Sequence, residues 1–185
     1  YKRQVFISGS KIASNTASIT SGSGGMPDGG GIHDGSGGTM TITGSQISQN
    51  SVLSGQTSTA VGGGLSNDRG GVVSITDSTV TANSASTSAA GTAEGGGIAS
   101  IGGSVTVTRS TITGNIASSV PPGASPAAEG GGIYSDAPVA LDSSTVTGNS
   151  ANAATNGTAE GGGLALLVGS SITNSTIAGN SASSQ

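Results

Sequence analysis

The sequence lacks several of the residues on which many folds and chemistries depend. Its 185 residues include no Cys and no Trp, one Phe and two Tyr. A disulfide framework is therefore excluded, and so is a thick core built on large aromatic side chains. No apolar run approaches the ~20 residues of a membrane-spanning helix, so we expect no membrane insertion of this segment.

Charge is also scarce. Charged residues make up 8% of the chain, against about 25% in typical globular proteins. Five Lys and Arg residues stand against nine Asp and Glu residues, for a formal net charge of -4. This balance offers no basic surface for nucleic acid, so we expect no nucleic-acid partner. It also falls short of the high net charge that is typical of disordered chains.

Glycine is abundant, and much of it recurs at a regular period. Five Gly-Gly-Gly triplets, each followed by Ile or Leu, begin at Gly29, Gly62, Gly95, Gly130 and Gly161. An asparagine follows each triplet after 19 to 21 residues, and a further one precedes the first triplet. These repeats divide the chain, as a single domain, into six coils that span approximately 1–28, 29–61, 62–94, 95–129, 130–160 and 161–185.

Within each repeat, apolar residues alternate with polar residues. In one repeat, Val105, Val107 and Ile112 stand ten, eight and three residues before Asn115, and Ala117 stands two after it. A period of two is typical of strands with one buried face, and each repeat is expected to contribute three short strands. Such repeats bury their apolar columns only by stacking. The sequence therefore predicts an all-β parallel β-helix of about six coils, with one variable loop per coil.

Two polar columns are expected to form hydrogen-bonded ladders at the turns, as stacked identical side chains do. The first contains the periodic asparagines, Asn15, Asn50, Asn83, Asn115, Asn149 and Asn180. The second contains the serines five residues earlier, Ser10, Ser45, Ser78, Ser110, Ser144 and Ser175. The Gly triplets are expected at a corner where φ is positive or where a Cβ would clash.

The segment GGGI...VTVT.STITGN.A, from Gly95 to Ala117, resembles the right-handed parallel β-helix repeats of bacterial surface proteins. In particular it is similar to polymorphic outer-membrane proteins and autotransporter passengers, which pair a GGA[IL]-like motif with an FxxN-like motif. The chain departs from that pattern by having Ile or Val in place of Phe, and Gly in place of Ala. The resemblance covers nearly the whole chain and implies a secreted, surface-displayed, right-handed β-helix; many unrelated functions share such a fold.

Two clusters of polar residues are candidates for chemistry. His33 and Asp34 in one coil are expected to lie beside Asn67, Asp68 and Arg69 in the next. A polysaccharide-active enzyme would need an acid and a base in such a groove. The surrounding glycines favour an ordinary turn, because Asp and Asn are common turn residues. We therefore expect no enzymatic activity, and polysaccharide cleavage is kept as an alternative.

The second cluster stands immediately before the Gly triplets, at Asp28, Glu94, Glu129 and Glu160, with Val61 at the equivalent position of the second triplet. Stacked carboxylates either extend into solvent or share a cation. Calcium prefers clustered carboxylate oxygens, but no calcium-binding repeat signature is present. The favoured interpretation is a solvated acidic stripe without a cofactor, and calcium binding is the alternative.

Outward-facing threonines form a third feature. They are expected to stack into flat Thr-x-Thr arrays, similar to the ice-binding face of some β-solenoid antifreeze proteins, although Thr is also simply a good strand residue. The candidate ice-binding residues are Thr79, Thr81, Thr111, Thr113, Thr145, Thr147 and Thr176.

The sequence thus predicts a structural module at or outside a bacterial cell surface, either a stalk or adhesin segment or the subunit of a self-assembling fibre. The chain begins with Tyr1 and without a signal-peptide pattern, and is expected to be an excised piece of a longer array or a subunit that stacks end to end. A glycan or host-surface ligand is a further expected partner. The variable loops are expected at 16–27, 51–60, 84–93, 116–128 and 150–159.

Overall fold

The computed structural model describes residues 3–20, 25–35, 37–55, 58–89, 91–119 and 126–185. Every regular element in these ranges is a short β-strand, and none is a helix. Accordingly, no helix in this part of the chain is long and apolar enough to cross a membrane. The strands pair in parallel with the equivalent strands of the neighbouring coils, for example Val105 with Val73 on one side and Val139 on the other.

The strands of the first three coils are short and follow one another closely. The first coil contains β1 (Gln4–Ser8), β2 (Lys11–Ala13) and β3 (Thr16–Ile19). The second contains β4 (Ile32–Asp34), β5 (Thr39–Thr43), β6 (Gln46–Ser48), β7 (Ser51–Ser54) and β8 (Ala60–Val61). The third contains β9 (Leu65–Asp68), β10 (Val72–Thr76), β11 (Thr79–Thr81), β12 (Ser84–Thr87) and β13 (Thr92–Glu94).

The remaining coils repeat the same order of elements. The fourth contains β14 (Ile98–Ile101), β15 (Ser104–Thr108), β16 (Thr111–Thr113), β17 (Ile116–Ser119) and β18 (Ala127–Glu129). The fifth contains β19 (Ile133–Ser135), β20 (Val139–Asp142), β21 (Thr145–Thr147), β22 (Ser150–Ala153) and β23 (Thr158–Glu160). The last contains β24 (Leu164–Leu166), β25 (Ser171–Thr173), β26 (Thr176–Ala178) and β27 (Ser181–Ser184).

Equivalent strands form five parallel sheets that run along the solenoid. Sheet A is β1-β5-β10-β15-β20-β25, sheet B is β2-β6-β11-β16-β21-β26, and sheet C is β3-β7-β12-β17-β22-β27. Sheet D is β8-β13-β18-β23, and sheet E is β4-β9-β14-β19-β24. Each of sheets A to C contains six stacked strands, which corresponds to about five turns of the solenoid. The predicted fold class, an all-β parallel β-helix, is confirmed.

The core consists of two apolar columns enclosed by these sheets. The larger column is built from the inward residues of sheets E, A and B, including Ile98, Val107 and Ile112. The smaller column lies between sheets C and D and contains Val52 and otherwise alanines, such as Ala85, Ala93 and Ala117. One or two medium-sized side chains per strand fill the larger column, which explains why the sequence needs few large aromatic residues.

The variable loops are shorter than expected. The first four residues of each expected loop form a strand of sheet C, and in all but the first loop the last one or two residues belong to a strand of sheet D. Sheet D was not predicted because its inward side chains are mainly Ala, which gives little apolar alternation. Residues 21–24, 56–57, 90 and 120–125 of the expected loops lie outside the described residues.

Replacing Ile112 with Asp should abolish the cooperative unfolding transition of the chain. Ile112 is fully buried in the larger column, and an unpaired carboxylate there has no polar partner to offset its desolvation. The neighbouring Thr111, which is half-buried on the outer face of the same strand, provides the control. Thr111→Asp should fold with a melting temperature close to that of the parent chain in circular dichroism. A normal melt for Ile112→Asp would contradict the assigned core.

Candidate functional site

The turns between sheets A and B, and between sheets B and C, share one backbone feature. The residue that immediately precedes each ladder Ser or Asn has a positive φ, as at Arg109 (46°) before Ser110 and Gly114 (63°) before Asn115. This conformation turns the chain at a corner. The backbone amide of the ladder Ser or Asn then donates to a side-chain oxygen of the next coil instead of to a backbone carbonyl.

The asparagines supply these acceptors in a continuous ladder. Each backbone amide donates to Oδ1 of the Asn in the next coil at 2.9–3.1 Å. Each side-chain Nδ2 donates to the same oxygen at 2.9–3.0 Å. From the second coil onward, Nδ2 also donates to a sheet B carbonyl of the preceding coil, as from Asn115 to Val80 at 3.0 Å. The four central asparagines are fully buried.

The serines form a parallel ladder at the corner between sheets A and B. Each backbone amide donates to Oγ of the Ser in the next coil at 3.0–3.2 Å. The same hydroxyl donates to the carbonyl two residues earlier in its own coil at 2.7–2.9 Å. Both ladders thus pair backbone groups that the sheets leave without partners.

The Gly triplets form the corner between sheets D and E, and each of their three positions excludes a side chain for a different reason. The first glycine has a positive φ, as at Gly95 (63°). A Cβ on the second would collide with backbone atoms of two other chain segments, as at Gly96 with Ile116 and Gly131. A Cβ on the third would collide with a carbonyl oxygen of the next triplet and with the ladder Asn, as at Gly97, where Gly132 O would be 2.6 Å away and Asn115 Cγ 3.0 Å away.

The acidic residues before the triplets stack in register along this corner. Glu94 pairs with Glu129 and Val61, Glu129 pairs with Glu160, and Asp28 bridges to Val61. We call Asp28, Glu94, Glu129 and Glu160 the acidic column. On the outer face of the adjoining sheet E, Ala99 and its neighbours in the later coils are buried, whereas His33 in the first strand is exposed.

Glu94, in the middle of the acidic column, is half-buried. Burial raises its pKa to about 7, and the nearby carboxylates Glu129, Asp136 and Asp28 add to the increase. Burial, with a contribution from Glu160, also raises the pKa of Glu129. Burial raises the pKa of the Tyr134 hydroxyl to about 12, and the carboxylates of Glu94, Glu129 and Asp136 contribute to the increase. The raised pKa of Glu94 favours its neutral form, and solvent around the exposed Glu160 weakens the repulsion within the column.

The structure brings the residues of the predicted turn together but separates them onto two faces. Asp34 pairs with Asn67 and His33 with Ser66 in adjacent strands of sheet E. Asp34 and Asn67 are buried, whereas His33 is exposed and Asp68 is half-buried. Arg69 extends into solvent and approaches Asp68 at 3.8 Å. A single groove that holds all five residues, as an acid and base pair would require, is therefore not formed.

Asp34 and Asn67 begin an inner polar column that the sequence analysis missed. It continues through Ser100 and Ser135, both fully buried. Asn67 Nδ2 donates to Ser100 Oγ at 3.1 Å, and Ser135 Oγ donates to the carbonyl of Ala137 at 2.7 Å. The sequence does contain a signal for this column. Each of the first four triplets is followed by an apolar residue, and two positions later by a polar one, as with Ile98 and Ser100.

The threonine arrays occupy the outer face of sheet B. Thr79, Thr111, Thr145 and Thr176 are in register, as are Thr81, Thr113 and Thr147. They flank the buried residues Val80, Ile112, Val146 and the more exposed Ile177. The row of threonines that contains Thr79 is interrupted in the first two coils, where Lys11 and Gln46 occupy the equivalent position.

Replacing Asn115 with Ala should lower the free energy of unfolding by several kcal/mol. The change removes the acceptor of two Asn83 donors and the donor to the Val80 carbonyl and Asn149 Oδ1, and each buried group left unpaired costs about 1–3 kcal/mol. Asn152→Ala is the control, because Asn152 lies half-buried on an outer face; it should change stability by about 0.5 kcal/mol or less. Chemical denaturation measures both, and equal effects would contradict the role of the ladder.

Stability should decrease as the pH rises from about 4.5 to about 7. In this window folded Glu94 holds a proton that the unfolded chain has released, so the free energy of unfolding decreases with pH. Glu94→Gln should reduce the decrease, whereas Glu160→Gln, which replaces an exposed carboxylate in the same column, should reduce it much less. Thermal melts across this window measure the effect, and identical profiles for the parent chain and Glu94→Gln would contradict it.

Comparison with known proteins identifies no relative of this chain. No protein-family model matches the sequence, and neither a curated protein nor a solved structure is significantly similar to it. Of what the resemblance to bacterial surface repeats implies, the structure shows the fold, a parallel β-solenoid.

Proposed function

We propose that the chain is a structural module, a stiff β-solenoid segment of a stalk, an adhesin or a fibre outside a bacterial cell. The observation that supports this proposal is the continuity of the apolar column and of the Asn and Ser ladders through all coils. Each coil is joined to the next by strand pairing in up to five sheets and by two side-chain ladders. A rod built in this way resists bending because every corner is fixed.

The composition suits the same role. Strands of neighbouring coils are about 4.8 Å apart, so each added repeat lengthens the rod by about that distance. The repeats that add this length consist mainly of small residues. Contacts in a solenoid are made between neighbouring repeats, so length is increased without redesign of the fold. The proposed extracellular location rests on the resemblance to surface repeats.

Self-association would occur at the ends of the solenoid. The outer strands β1 and β26 leave one edge unpaired, and Val5, Ile172 and Ile177 at the two ends are 43–44% exposed. Unpaired strand edges are templates for further pairing. Another copy of the chain, or further coils of a longer chain, would continue both the sheets and the apolar column. A glycan or host-surface ligand would instead bind along the lateral faces.

Ice binding is the second candidate, and the register of the threonines favours it. Three consecutive coils present two half-buried Thr residues each, on either side of a buried Val or Ile. Parallel pairing holds these side chains at a regular spacing in two directions. Thr106 and Thr108 add to an adjoining outer face on sheet A. The interruptions at Lys11 and Gln46 make this the weaker candidate.

Negative-stain electron microscopy over a concentration series tests the structural proposal. The expected result for a fibre subunit is long, thin filaments whose length increases with concentration. Ile177→Lys, which places a charge at an exposed end position, should shorten these filaments. Thr113→Lys, on a lateral face, should leave them unchanged. Single short rods at every concentration would favour the stalk or adhesin segment over the fibre.

The same preparations distinguish the alternatives. Thermal hysteresis that is lost in Thr113→Lys would replace the structural proposal with ice binding. Release of reducing ends from polysaccharides would replace it with enzymatic activity. A structural module should show neither effect at concentrations at which the rods are seen.

A further inference from the structure

Three metal-ligating side chains meet at the first described glycine corner. Asp28 immediately precedes Gly29, His33 lies in β4, and Asp68 ends β9 in the next coil. One ligand atom from each of the three residues lies within 4.8 Å of the other two. Asp28 and Asp68 are half-buried, and His33 is exposed. The group therefore links two neighbouring coils and has one side open to solvent.

Two atoms of this group are buried without a partner. Asp28 Oδ1 and Asp68 Oδ1 are inaccessible to solvent and accept no hydrogen bond from any residue that the structure describes. The other oxygen of Asp68 is 3.8 Å from Arg69 Nε, whose side chain is 78% exposed, so this contact contributes little. Buried carboxylate oxygens are costly unless they are paired or coordinate a metal.

The histidine does not neutralise these oxygens directly. Within the described ranges the ion pairs are Asp68 with Arg69 and Asp77 with Arg109, and none involves His33. Ligand atoms around a tetrahedral ion with bonds of about 2.1 Å stand about 3.4 Å apart. The three ligand atoms, which lie within 4.8 Å of one another, therefore need to approach by at most about 1.4 Å to bind one ion.

The local backbone leaves room for the imidazole. A Cβ at Gly35 would collide with His33 Nε2, so any other residue there would displace the ring from its present position. Gly29, on the other side of the group, would bring a Cβ within 2.8 Å of His33 Cβ. The glycines that surround this turn thus keep the histidine beside the two carboxylates.

The charges of the neighbouring groups also favour a cation. Burial raises the pKa of Asp28; His33 lowers it and Asp68 raises it again. Asp28 is also one of the carboxylates that raise the pKa of Glu94. A cation bound to one oxygen of each carboxylate would offset the repulsion between Asp28 and Asp68, whereas one proton would neutralise a single carboxylate.

We propose that Asp28, His33 and Asp68 bind one divalent transition-metal ion and thereby clamp the first glycine corner to the next coil. An imidazole nitrogen with two carboxylate oxygens is a ligand set that suits Zn²⁺. Calcium and magnesium prefer oxygen ligands alone, so the site differs from the calcium alternative considered for the acidic column. Solvent molecules would complete the coordination on the open side. The site does not depend on the proposed structural role.

Isothermal titration of the chain with ZnCl₂ tests this site. The expected result is one Zn²⁺ per chain, with affinity at least tenfold weaker in Asp28→Asn, Asp68→Asn and His33→Ala. Glu160→Gln, a carboxylate of the same column that lies far from the site, should bind as the parent chain does. Circular dichroism of each variant confirms that the fold is retained. His33 is the one histidine of the chain, so bound Zn²⁺ should also slow the reaction of the His33 imidazole with diethyl pyrocarbonate at least tenfold.

Two results would overturn the site. One is the absence of saturable Zn²⁺ binding by the folded parent chain at concentrations up to about 1 mM. The other is binding that the three substitutions leave unchanged, which would place the ion elsewhere. Equal binding of Ca²⁺, retained in His33→Ala, would overturn the transition-metal assignment and indicate an oxygen-only site.

Discussion

The structure depends on how the backbone amides at the solenoid corners are paired. A turn through a positive φ breaks the regular register between coils, and the amide that follows has no carbonyl of the next coil opposite it. At Asn115 and Ser110 the next coil supplies a side-chain oxygen at 3.0 and 3.2 Å. Because a buried, unpaired amide costs about as much as a lost hydrogen bond, these corners require a short side chain with an acceptor in every coil. The period of the sequence follows from that requirement.

The same requirement explains the shortage of other residues. A corner that closes by a side chain reaching along the rod leaves a narrow interior, which one or two medium-sized apolar side chains per strand fill. On the opposite corner, Gly96 and Gly97 lie so close to other backbone and to Asn115 that no side chain fits. Aromatic residues have no interior position of suitable size. The composition is therefore a consequence of the cross-section of the coil, and the flat outer faces are free to carry Thr, Ser and a few charges.

Most of the fold could be predicted from the sequence, because both the period and the alternation are local signals. Val107, Ile112 and Asn115 lie where their spacing placed them. Sheet D could not be predicted, since Ala93 and Ala128 give no contrast in hydropathy between its two faces. The burial of Glu94 and the approach of Asp28 to His33 also depend on the bend at the glycine corner, which brings the outer faces of sheets D and E together. Periodicity along the chain contains no information on that angle.

This bend gives the acidic column two different chemical environments. Glu94 lies in the middle of the stack, where carboxylates and Tyr134 surround it, and a proton is the smallest cation that can neutralise it. Asp28 lies where the column meets His33 and Asp68, next to a Val rather than a Glu in the following coil. A nitrogen ligand and an open side are present there, so a metal ion can take the place of the proton. Stacked carboxylates thus repel one another along the whole column, and the residues that surround each carboxylate determine whether a proton or a metal ion offsets the repulsion.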